Sequence, residues 1–132
     1  MRIVRVKADG RAASAQGYPP SGARGPSSDS IFIGEVHVQT VVPDDWSRDL
    51  RLIEVHFKGG ARNRMHTHST DQILVVTEGT AVVGTRSEEH ELVAGDVAFI
   101  PAGEDHWHGA KQGHDMTHLA INGHGSATEV TE

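Results

Sequence analysis

The chain has 132 residues, with 18 acidic side chains against 12 basic ones, a formal charge of −6 and no cysteine. That length fits one domain around one core; the charge argues against a nucleic-acid face, and the lack of cysteine excludes disulfides and thiolate metal sites. No stretch is long and apolar enough to span a bilayer and no apolar region follows the first residues as in a secretory leader, so a soluble cytoplasmic protein is expected.

Residues 2–7 alternate Ile3 and Arg5 against Val4 and Val6, as in a short edge strand or an arm. From 8 to 30 the composition turns to Gly, Ala, Ser, Pro and Arg, including Tyr18-Pro19-Pro20, which reads as an irregular arm. A loop of that length is uncommon inside a compact domain, so it wraps the body, reaches a second subunit, or trails as a tail. The first full strand is predicted over 31–42, with Val36, Val38, Thr40 and Val42 on one face. Pro43-Asp44-Asp45-Trp46 turns the chain into a strand over 50–57, where Arg51, Ile53, Val55 and Phe57 share a face. Further strands are predicted over 72–77, 80–85, 90–93, 97–100, 106–110 and 116–121, with a turn at Glu78-Gly79 between the first two. No stretch sustains a 3.6-residue apolar period. Short strands punctuated by Gly and Pro predict an all-β fold, an antiparallel barrel or jelly roll. The expected boundaries are an arm or edge strand over 1–30, the barrel over 31–124 and a C-terminal tail over 125–132.

The stretch from Gly60 to Gly79 carries the chemistry. His66 and His68 point to the same side of a strand, with Cα atoms ~6.6 Å apart at ~3.3 Å per residue, and two imidazoles so placed can converge on one transition metal. Gln72 follows with an amide oxygen; Asp71 competes with it but falls on the wrong parity. Two spacings then line up. Gly60-x5-His66-x-His68-x3-Gln72-x6-Gly79 resembles the first motif of the cupin superfamily, and Gly95-x5-Pro101-x-Gly103-x2-His106 resembles its second. The resemblance covers 31–121 and implies a double-stranded β-helix, the cupin jelly-roll barrel, with His66, His68, Gln72 and His106 holding one divalent metal. Two positions depart from the family pattern: Gln72 stands where Glu is usual, and Ala110 where Asn is usual. Three neutral imidazoles and an amide leave the metal's charge uncompensated, which predicts weaker metal binding, stronger Lewis acidity and affinity for an anionic ligand. Magnesium, a hard ion, is a poor match for imidazoles; manganese is the first choice, with iron, nickel, cobalt and zinc open.

The wording around Gly103-Glu104-x-His106-Trp107-His108 and Met116-Thr117-His118-Leu119-Ala120-Ile121 resembles a narrower group, small bacterial cupins that include manganese-dependent hydroxynitrile lyases. That likeness implies a pocket faced by His108 and His118 and walled by Ile53, Val55 and Asn63. It also implies a homodimer. His108 is either a proton carrier or a partner that orients the metal ligands. His37, His56, His90, His114 and His124 are read as ordinary surface or hydrogen-bonded histidines. The leading expectation is a metal-dependent enzyme acting on a small molecule, with lyase chemistry at a carbonyl or cyanohydrin carbon and His118 or His108 moving the proton. The alternatives are a non-haem metal dioxygenase and a non-catalytic cup that binds a metal or small ligand.

Overall fold

The computed structural model describes residues 1–6, 25–26 and 30–132. Most of the arm expected over 8–30 therefore lies outside the described residues. Residues 1–6 form no strand, and the Arg2 guanidinium lies 4.1 Å over the Trp46 ring. The described strands, in chain order, are β1 (Gly25–Pro26), β2 (Phe32–Ile33), β3 (Val36–Val42), β4 (Leu50–Phe57), β5 (Arg62–Asn63), β6 (His66–His68), β7 (Gln72–Gly84), β8 (Glu89–Val93), β9 (Val97–Ile100), β10 (Trp107–Ala110), β11 (Met116–Gly123) and β12 (Thr128–Val130). Neighbours run β1-β3-β4-β11-β7-β10-β5-β2, with β8 and β9 also on β7, and β12 pairs with β6. All pairings are antiparallel. The result is the all-β, nearly closed jelly-roll barrel that the sequence predicts.

Three local departures have physical causes. The strand predicted over 31–42 is broken at Gly34, whose φ of 93° is open to glycine alone. The turn predicted at Glu78-Gly79 is instead the middle of the 13-residue β7. Residues before it pair with β11 and β9, and residues after it pair with β10 and β8. Gly79 makes the passage possible: its φ is 75°, and a Cβ there would collide with the Asp115 carbonyl oxygen. Finally, the segment 125–132, expected as a tail, contains β12, which lies along the two-histidine strand with Val130 opposite His66 and Thr128 opposite His68.

The strand register sorts the interior into rows. Val76, His118 and Val55 form one row across β7, β11 and β4; Leu74, Ala120 and Ile53 form the next; Gln72, Asn122 and Arg51 form the one beyond. A register shift at Thr117/His118 absorbs one extra residue of β7 and lets Val76 and His118 face inward together. Phe57 and Met116, both fully buried, close the deep end among Val36, Ala61, Ala81 and Ala110. The interior thus grades from an apolar floor to a polar mouth, and its middle is lined with histidines.

Candidate metal centre

His66 and His68 enter from β6, His106 from the residue before β10, and Gln72 from the first residue of β7. A two-bond bridge locks His66 to His106: the His66 N–H donates to the His106 carbonyl at 2.9 Å, and the reverse bond is 3.0 Å. One ring nitrogen from each of His66, His68 and His106 falls within 4.8 Å of the others. His66 and His106 are each 1% exposed.

Which nitrogen faces the centre follows from the outer hydrogen bonds. His66 Nδ1 donates to the Arg64 carbonyl at 2.5 Å, and His106 Nδ1 donates to the Glu104 carbonyl at 2.9 Å. A carbonyl can only accept, so these rings carry their proton on Nδ1 and turn a lone pair inward on Nε2. His68 Nδ1 meets the Thr128 hydroxyl at 2.9 Å, while its Nε2 is buried with no partner at all. Gln72 Nε2 donates to Asn122 Oδ1 at 3.2 Å, which aims Gln72 Oε1 at His106 Nε2, 3.1 Å away. Two acceptors facing each other are repulsive unless a cation lies between them. Two ligands at right angles on an ion ~2.1 Å from each would be ~3.0 Å apart. The three imidazoles and the amide oxygen therefore fit one divalent transition metal.

Burial keeps these rings neutral and ready to bind. It lowers the pKa of His66 to about 4, helped by His106, and that of His68 to about 3, with His66, His106 and Arg51 adding to the effect. His106 is lowered for the same first reason.

Two supporting residues escaped the sequence reading. Thr128 sits in the presumed tail, and only the β12–β6 pairing reveals it as the partner of His68. Asn122 shares the parity of His118 and Ala120 on β11, so the alternation of that strand extended by one step would have found it. Asp71, the competing ligand, is exposed and accepts the Ala102 N–H at 2.9 Å. Gln72→Glu is expected to tighten metal binding by about tenfold or more, ~1.4 kcal/mol, because it supplies the missing negative charge. Asn122 can turn its unpartnered Nδ2 toward the new carboxylate. Metal competition against a chelator, run beside azide titration, checks both halves: metal affinity rises and azide affinity falls.

A second pair of histidines lies beside the first set. His118 is 1% and His108 3% exposed. Asn63 Oδ1 accepts the His108 backbone N–H at 2.8 Å, and Asn63 Nδ2 donates to His108 Nε2 at 3.0 Å. An amide nitrogen can only donate, so His108 carries its hydrogen on Nδ1 and gives it to His118 Nε2 at 2.9 Å. Burial lowers His118 to about 4 and pushes His108 well down. The ring of His108 stacks on that of His106 at a centroid distance of 5.6 Å.

His66, His68 and Gln72 share one cavity of about 150 Å³ with His108 and His118. Ile53, Val55, Phe57 and Ala120 form its apolar wall, and Asn63, Gln72, Asn122 and Arg51 its polar one. A larger open groove of about 410 Å³ runs over β8 and β9 and meets only His106 of the set; the smaller cavity is the one that gathers the chemistry. Four of the five remaining histidines are engaged elsewhere, His37 with Glu35, His56 with Thr117, His90 with Glu88, and His124 with the Ser47 carbonyl, and the fifth, His114, is exposed. Arg64 donates to the Ser30 carbonyl, and Arg62 lies over Trp107.

Comparison with known proteins agrees with this architecture. The sequence pattern of the Cupin_2 cupin domain family matches residues 53–122. A 68-residue stretch is 44% identical to the (R)-mandelonitrile lyase of Granulicella tundricola, covering 51% of this chain and 52% of that one, so the match spans about half the length of the relative. A cupin-like protein from Thermotoga maritima superposes with a TM-score of 0.77 at 33% identity, over 82% of this chain and 85% of that one. The polyketide cyclase RemF from Streptomyces resistomycificus shares the fold alone, with a TM-score of 0.72 at 15% identity over 83% and 80% of the two chains. With the family pattern on the barrel strands and three imidazoles converging inside, the chain belongs to the cupin superfamily, as a Cupin_2 domain.

Proposed function

We propose that this chain is a divalent-metal-dependent lyase that makes or breaks a bond at the carbonyl or cyanohydrin carbon of a small organic molecule. The observation that carries the reading is the buried His108–His118 pair, 2.9 Å apart, in the same cavity as His66 and His68. The likeness to a mandelonitrile lyase supports the reaction class. His66, His68, Gln72 and His106 hold the metal in this reading, with manganese the first choice from the resemblance to manganese-dependent cupin lyases. A bound metal supplies Lewis acidity toward a hydroxyl or carbonyl oxygen.

The chain's own residues handle the proton. His118 is neutral near pH 7 because burial disfavours its charged form; at rest its Nε2 lone pair accepts the His108 Nδ1–H, and a substrate hydroxyl takes up that lone pair by displacing this hydrogen bond. In the cleavage direction the hydroxyl proton passes to His118 Nε2, and the bond between the carbinol carbon and the nitrile carbon breaks with its electron pair leaving as cyanide. The same proton is then delivered to cyanide, and the products are an aldehyde and hydrogen cyanide. Asn63 holds His108 with its Nδ1–H toward His118, which keeps the acceptor ring in place. Ile53, Val55 and Ala120 give the organic part of the substrate an apolar surface and keep bulk water away from the proton.

The reading includes a homodimer. Its support is the outward face of the sheet, where Ile121, Ile73 and Phe99 form one apolar row and Leu119, Val75 and Val97 the next; Phe99 is 62% exposed and Val97 59%.

The test is turnover of mandelonitrile by manganese-loaded protein with and without oxygen, following aldehyde release. Equal rates in the two atmospheres support the lyase. Oxygen uptake in step with turnover replaces it with a dioxygenase, and saturable ligand binding without turnover replaces it with a non-catalytic cup.

A further inference from the structure

The polar mouth of the cavity holds two donors that neither the metal nor the histidine pair uses. Asn122 and Arg51 are cross-strand partners on β11 and β4, and Gln72 lies on the other side of Asn122 on β7. Neighbouring strands are about 4.8 Å apart, so the three side chains form one shelf beside the metal-binding nitrogens. Asn122 is 4% exposed. Its Oδ1 accepts from Gln72, while its Nδ2 is buried with no partner. An amide NH₂ left dry in this way costs free energy unless something accepts from it. Arg51 also lines the cavity, and it is held at the rim from the loop side. There Nη2 donates to the Ser126 carbonyl at 3.3 Å, and Nη1 faces an Asp44 oxygen at 3.5 Å. Those two contacts leave part of its five-donor fork free.

The rest of the lining offers these donors nothing negative. Among the described residues no aspartate or glutamate lines the cavity, and His66, His68 and Gln72 contribute only neutral groups to it. A divalent ion and a guanidinium would then share one small cavity with no compensating charge inside it. We infer that Arg51 and Asn122 form a carboxylate subsite, and that the substrates of this site are small 2-hydroxy or 2-oxo compounds that carry a carboxylate. A carboxylate fits better than a linear anion such as cyanide, because it is planar and can take a forked pair of bonds from the guanidinium while still accepting from the amide. The inference deepens the proposed function and rests on it for the metal-bound oxygen, but it concerns a different part of the ligand.

Lactate and its uncharged isostere lactamide provide the test, titrated calorimetrically into manganese-loaded full chain with metal content measured for every variant. Lactate is expected to bind more tightly. Arg51→Gln should raise the Kd for lactate by roughly tenfold or more, the scale of one charge-assisted pair, and leave that for lactamide within about twofold. Arg51→Lys, which keeps the charge but not the fork, should recover part of the loss. Asn122→Asp leaves the Arg51 contacts to Asp44 and Ser126 in place and fills the subsite with its own carboxylate, so it should erase the preference for lactate even where Arg51→Gln proves unstable. If both Arg51→Gln and Asn122→Asp keep the wild-type ratio of lactate to lactamide affinity, the subsite is wrong. Cyanohydrin cleavage is scored separately: its absence with an Arg51-dependent preference for lactate removes only the lyase reading, and its presence with an unchanged ratio removes only the subsite.

Discussion

The metal-free protein should lose stability steeply as the pH falls from 7 to 5.5. His66 and His118 have pKa values of about 4 and His68 about 3, in each case because burial disfavours the imidazolium. In the unfolded chain these rings return to their ordinary value of 6.5. Between the two values the unfolded state binds protons that the fold refuses, so stability rises with pH and is lost as pH drops below the unfolded value. At one unit below it, each ring contributes about 1.4 kcal/mol and the three together about 4 kcal/mol. His106 and His108 are shifted in the same direction and add to the loss. A domain with ~5–15 kcal/mol in hand cannot absorb that easily. Urea midpoints measured in chelator at pH 7, 6.5, 6 and 5.5 should fall progressively, and His118→Phe should flatten the slope by removing one of the refusing groups. A midpoint independent of pH across that range would mean that these rings take up protons in the folded state. Saturating metal should raise the whole curve, by ~4 kcal/mol at a thousandfold excess over its Kd.

The parts of this site that the sequence reveals are those governed by the two-residue period of a strand. His66 and His68 share a side because they are two apart, and the same rule joins His118 to Ala120 and Ile53 to Val55. Gly79, Gly95 and Gly103 stand at motif positions in the sequence, and each has a positive φ. What the period does not carry is which strands become neighbours. Thr128 supports His68 only because β12 returns to lie along β6, a pairing that joins residues 60 apart. Arg51 had the right parity on β4, yet its place beside Asn122 and Gln72 depends on the order β4-β11-β7. The turn expected at Glu78-Gly79 fails for a related reason. A glycine with positive φ serves equally to reverse a chain or to carry a single strand from one sheet to the next, and only the Asp115 backbone packed against Gly79 decides between them.

Removing His118 should separate metal binding from turnover. His118→Ala takes away the acceptor of the His108 Nδ1–H without touching His66, His68, His106 or Gln72, none of which contacts His118 through a hydrogen bond. The buried donor left behind costs ~1–3 kcal/mol of stability, which a lower melting temperature reports and which added metal offsets. A positioned proton carrier contributes typically ~10²–10⁴-fold to rate. The variant is therefore expected to keep stoichiometric metal while kcat falls by about that factor. His108→Ala differs in kind: it removes the ring stacked on His106 as well as the donor to His118, so metal affinity and rate should both decline. Asn63→Ala releases the amide that fixes the His108 tautomer but leaves both rings in the cavity. Nitrogen NMR of the imidazoles in that variant should show His108 sampling the Nε2–H form, which the wild-type ring does not, alongside an intermediate loss of rate. Wild-type turnover in His118→Ala with metal retained would remove the histidine pair from the chemistry and leave it as a buried polar brace between β10 and β11.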